Sequence, residues 1–128
     1  MLSLTEFLIA ARNHFDGDIE LFLVMCVIGE RTFSHRHLRP DLSYDKWRSQ
    51  KVSDIPPEDI NIQSVADFSG IPRETVRRKV RILMEKGWVE RDERGLIRST
   101  SKAKVELEPL TVASLHYLSE MKATLLAP

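Results

Sequence analysis

Hydrophobic and polar positions recur along this chain in two rhythms, and the changes between them divide it near residues 60 and 100. Leu4, Phe7, Leu8 and Ala11 repeat at helical spacing behind Ser3-Leu4-Thr5-Glu6, whose ends have the capping-box spacing, so a first helix is predicted to about His14. Asp16-Gly17-Asp18 interrupts it. From Asp18 onward Ile19, Leu21, Phe22, Leu23, Val24, Met25, Val27 and Ile28 are dense enough to predict a helix covered on most sides, by the core and by a second subunit. It should end before Arg39-Pro40, because proline disfavours helical geometry in the residue preceding it. Asp41 to Glu58 is polar, holds Tyr44 and Trp47, and closes with Pro56-Pro57, which reads as a connecting segment with one helical turn around Ser43 to Ser49.

Residues 61–100 have a tighter organisation. Asn61 is placed to cap a helix bearing Val65, Ala66 and Phe68; Ala66 is small where a second helix must cross, and Gly70 supplies the backbone freedom of a tight turn. Pro72 suits the start of the next helix and Glu74 its positive end. Val76, Val80, Leu83 and Met84 then fall at i, i+4, i+7 and i+8, a core stripe, while Arg73, Arg77, Arg78 and Arg81 fall largely off it. Gly87 should end this helix in the left-handed region. Trp88 to Arg91 and Leu96 to Ser99 are strand-like, and Asp92-Glu93-Arg94-Gly95 has hairpin-turn chemistry, with Trp88 as its apolar anchor. After Pro109, the segment Leu110 to Leu126 carries Leu115, Leu118, Met121 and Leu125 as an amphipathic stripe, predicting a final helix.

Composition sharpens this reading. With 128 residues and 42% apolar content, one domain with a real core is expected. The formal net charge is +0, but residues 73–104 hold 11 Lys/Arg against 5 Asp/Glu, and the remainder is correspondingly acidic. The neutral average therefore conceals one basic segment, the electrostatic footprint expected of a phosphate-binding surface.

The run SVADFSGIPRETVRRKVRILMEKGWVERDERGLI resembles the winged helix-turn-helix of bacterial transcription regulators, closest to the MarR-like and GntR-like groups. The likeness covers about a third of the chain. Ser69 departs from it, standing where such motifs often carry leucine, and so does Lys79, in an inner slot usually apolar or alanine. The resemblance implies a mainly α domain with a small β-hairpin wing and flanking helices: residues 1–60 as N-terminal helices and connector, 61–100 as winged helix-turn-helix, 101–128 as the C-terminal helix. It further implies a recognition helix over 73–86 set in the major groove of double-stranded DNA. Arg73, Glu74, Arg77 and Arg78 match positions that face DNA, with Arg73 and Arg77 expected on base edges. Thr75 is expected at a cap or a phosphate, and Arg81 beside them. In the hairpin over 88–100, Arg91, Arg94 and Arg98 are placed to reach a phosphate or the minor groove.

Other chemistries find little support in the sequence. His35-Arg36-His37 is a poor metal set without cysteine or clustered carboxylates, and better read as surface or helix-end histidines. Cys26 is the only cysteine, expected as a buried, inert thiol in a reducing cytoplasm. No phosphate loop or nucleophile elbow appears, so neither enzyme activity nor a cofactor is expected. Leu21 to Ile28 is too short to cross a membrane, and Met1 to Ala11 lacks the pattern of a leader. The expectation is a sequence-specific, dimeric DNA-binding regulator, with space for a small effector between the flanking helices and the winged part. The alternative is a winged-helix module that docks protein instead of DNA.

Overall fold

The computed structural model describes residues 3–33 and 60–127, so the expected connector, the end of the second helix and His35-Arg36-His37 lie outside the described residues. Helix α1 (Leu4–His14) begins where the Ser3 hydroxyl accepts the Glu6 amide at 3.1 Å. Helix α2 (Ile19–Phe33) follows the Asp16-Gly17-Asp18 break, and its first turn is held by Asp18, whose Oδ1 accepts the Leu21 amide at 3.0 Å. Leu21, Val24, Met25, Val27 and Ile28 are buried, but Ile19, Leu23 and Cys26 are exposed. The core of the single chain thus leaves part of α2 open. Cys26 is not the buried thiol expected from its apolar run; desolvation of the sulfur, followed by the Glu30 carboxylate, still pushes it up to about 11.

Helix α3 (Ile62–Ser69) starts at Asn61 with a reciprocal box: Asn61 Oδ1 accepts the Ser64 amide at 2.9 Å and Ser64 Oγ accepts the Asn61 amide at 3.3 Å. It stops at Gly70, whose φ of +77° lies in the left-handed region. Ser69, the first departure from the resembling family, accepts the Ile71 amide at 3.1 Å and so fastens the turn from its polar side. Gly70→Ala meets no neighbouring atom, so its expected cost of ~1 kcal/mol is backbone strain alone, readable as a lowered melting temperature.

Helix α4 (Arg73–Glu85) crosses α3 and ends ahead of Gly87, at φ +78° as expected. Pro72 is its N-cap residue, without a side-chain bond. Strands β1 (Val89–Arg91) and β2 (Ile97–Ser99) pair antiparallel, with Glu90 opposite Arg98, and the Ile97 amide bonds the Ile60 carbonyl at 2.8 Å. Thr100 then caps helix α5 (Ser101–Glu106) and donates its hydroxyl to the Gly87 carbonyl at 2.7 Å, tying the end of the hairpin to the end of α4. Helix α6 (Glu108–Leu125) returns to pack on α1.

Among the described residues the chain is therefore mainly α with one small β-hairpin, its core built where α2 meets α3, α4 and β2. Phe15, Leu21, Val24, Ile28, Val65, Val76, Val80, Leu83 and Ile97 fill that core, each large side chain contributing roughly 1.5–3 kcal/mol on burial. Trp88 joins them as the hairpin anchor, edge-on to Phe15 at 5.2 Å, with its indole N–H donating to Glu106 at 3.2 Å. Among the described residues, no helix is long and apolar enough to cross a membrane.

Candidate nucleic-acid interface

The turn of ~100° per residue distributes the side chains of α4 around its axis. Val76, Val80 and Leu83 point inward and are fully covered. Glu74, Arg78, Arg81 and Glu85 lie on the opposite, exposed side, with Arg73 exposed at the N-terminal end. Met84, expected on the core stripe, is exposed instead. Arg77 occupies one flank and is half-buried; its Nε is 3.5 Å from Glu74 Oε1, yet this buried N–H makes no hydrogen bond. Thr75 is half-buried and accepts from Arg78 Nη2 at 3.3 Å, so it steadies an arginine and does not cap the helix.

The other flank carries the two lysines of the helix and its C-cap, and both turn toward the loop between α1 and α2. Lys79 pairs with Asp18 through Nζ and Oδ2, across 61 residues of sequence. Lys86 donates to Asp16 at 2.7 Å while its ammonium sits 5.1 Å from the centre of the Trp88 ring. This resolves the second departure from the family. A lysine in the inner slot is accommodated because an aspartate from the preceding loop meets it there. The Asp-Gly-Asp break was visible in the sequence, but its pairing with α4 was not.

Burial works to raise Asp18, but the Lys79 bond, the Leu21 amide, the Lys79 charge and the Glu20 amide together outweigh it and hold the carboxyl below the ordinary 3.8. A carboxyl with a lowered folded-state value contributes stability above its unfolded value and loses that contribution as pH falls through the folded one. Asp18→Asn keeps a capping oxygen and removes the charge. Its expected cost is about 1 kcal/mol at neutral pH, and thermal melts of variant and wild type should converge as the pH falls below the ordinary carboxylate range and through the lowered folded-state value.

The hairpin places its arginines differently from one another. Arg98 is engaged across the strands by Glu90, its register partner. Arg91 lies along the loop against Gly95, and Arg94 projects from the loop itself. The loop is stiffened by Asp92, whose Oδ1 accepts the amides of Arg94 and Leu96, both at 2.9 Å. Among the described residues, Arg73, Arg81, Arg91 and Arg94 make no ion pair.

Helix and hairpin follow one another directly through Gly87 and Trp88, so the arginines expected at the interface belong to one connected unit. Among the described residues the acidic loop neutralises lysines, while Arg77 meets Glu74 of its own helix and Arg98 meets Glu90 on the paired strand. Compared with protein-family models, curated proteins and solved structures, the chain finds no match.

Proposed function

We propose that this protein is a sequence-specific regulator that binds double-stranded DNA, with α4 in the major groove and the β1–β2 hairpin as a wing against the backbone or minor groove. The supporting observation is the division of cations on α4: Lys79 and Lys86 are paired to Asp18 and Asp16, whereas Arg78 and Arg81 stay exposed on the side away from the core and Arg73 is exposed at the N-terminal end. A guanidinium can meet guanine O6 and N7 with two parallel hydrogen bonds, which an ammonium cannot do.

On this reading the chain resembles the winged helix-turn-helix regulators, acts in the cytoplasm and binds as a homodimer, with two recognition helices ~34–36 Å apart on a palindromic site. A small effector would act by changing that spacing. Selection of bound sequences from random duplexes tests the proposal. Enrichment of a short inverted repeat is expected; a bound pool indistinguishable from the input would contradict it and favour the protein-docking alternative.

A further inference from the structure

Three lysines of the basic segment each meet a carboxylate. Lys79 pairs with Asp18 and Lys86 with Asp16, both from the loop between α1 and α2, and Lys102, which lies across Gly87, stands 3.9 Å from Glu106. Arg73, Arg81, Arg91 and Arg94 have no such partner among the described residues. The loop holds its two aspartates firmly. The Gly17 amide donates to the Arg12 carbonyl at 2.8 Å and the Asp18 amide to the Phe15 carbonyl at 3.0 Å, closing the loop on the end of α1. Asp16 has a φ of +59°, in the left-handed region, where every other described occupant is glycine. Asparagine and aspartate tolerate this backbone better than most side chains, and of the two only aspartate brings a charge to Lys86.

Stability gives little reason for the outer pair. The Asp16 side chain is 71% exposed, and an exposed ion pair contributes little to folding. Its effect on the surrounding field is more direct. Opposite charges 2.7 Å apart cancel beyond a Debye length of ~8 Å, so Lys86 hardly attracts a polyanion, whereas an unpaired arginine attracts it in full.

We propose, on the DNA-binding reading above, that Asp16 and Asp18 are specificity-determining residues that need not touch DNA: they withhold Lys86 and Lys79 from phosphates. A lysine at a phosphate adds affinity for every sequence alike, and non-specific binding rests almost wholly on such contacts. Both lysines lie on the α4 flank that faces the α1–α2 loop, off the side that carries Arg78 and Arg81. In the sequence-reading pose that flank is held away from the groove. A non-specific encounter has no fixed pose, so a released lysine can reach a phosphate there. Masking the lysines therefore lowers binding to unrelated DNA more than binding to the selected site, and the ratio of the two rises.

Asp16→Asn in the full chain tests this, because asparagine keeps the shape and tolerates the left-handed backbone while removing the charge. Asp18 is less suitable, since its carboxylate also holds the Leu21 amide. On immobilised heparin, a polyanion without bases, Asp16→Asn should elute at higher salt than wild type, with its melting temperature essentially unchanged. Glu20→Gln removes an exposed charge beside the same loop and releases no lysine, so it should shift elution less. Asp16→Asn/Lys86→Gln should return to the wild-type position. On duplexes, Asp16→Asn should bind unrelated sequence about threefold or more tightly, with a salt slope steeper by ~0.9, and gain less on the selected sequence. Equal heparin shifts for Asp16→Asn and Glu20→Gln, or an unchanged ratio of selected to unrelated binding, overturn the proposal. If wild type shows no sequence preference, the DNA-binding reading fails and the specificity role with it; the heparin comparison then tells that failure from a failure of Asp16 to mask Lys86.

Discussion

Arg73→Ala/Arg77→Ala should weaken binding to a selected duplex by ~2–6 kcal/mol, the sum of ~1–3 kcal/mol for each arginine at a base edge. The folded protein should hardly notice. Arg73 is exposed, and the Arg77–Glu74 contact is a 3.5 Å pair whose carboxylate side is largely exposed, worth at most ~1 kcal/mol. Gel-shift titration and thermal melting on the same preparation check both halves of the expectation. Equal loss on all sequences would move these arginines from bases to phosphates. A large fall in melting temperature would make them structural and remove them from the interface. Arg81→Ala, by contrast, should weaken selected and unrelated duplexes alike and reduce the salt slope by about one.

Leu83→Ala should cost ~2–5 kcal/mol of stability, because its side chain is fully covered where α4 packs on α2 and β1, and the cavity left behind cannot close without shifting both. Val80→Ala, one turn earlier, removes less volume and should cost roughly 1–3 kcal/mol. Met84→Ala is the control. Met84 neighbours Leu83 but is 41% exposed, so its replacement should cost less than ~1 kcal/mol. Denaturant unfolding of the three variants reads the rotation of α4 directly. If Met84→Ala proved as damaging as Leu83→Ala, the helix would be turned and the arginine face with it.

Much of this arrangement was legible in the sequence, because local chemistry fixes it. Asn61, Gly70 and Gly87 mark helix ends through backbone and capping preferences that act within a few residues, and all three stand where expected. Val76, Val80 and Leu83 gave the inward face of α4, and Trp88 the hairpin anchor. What escaped depends on distant partners. Lys79 is explained only by Asp18, and the overlap of Lys86 with Trp88 and Asp16 follows from the same packing. Met84 and Cys26 fit a helical period yet face outward, since periodicity gives the angle around a helix and not what waits at that angle. The short α5 had a readable signal in the Thr100 cap, but its position beneath Trp88 comes from the Glu106 bond and the Gly87 carbonyl.

The central claim is that the exposed arginines of α4 and the hairpin meet phosphates and bases. Phosphate neutralisation releases condensed counterions, so its affinity must fall as salt rises. The most direct measurement is the affinity for a selected duplex across a salt series. The account predicts a linear fall of log K with log salt, with a slope of about −0.9 for each phosphate neutralised, alongside a clear preference over unrelated sequence. A flat response with no preference would contradict it and leave the arginine face to an acidic protein partner.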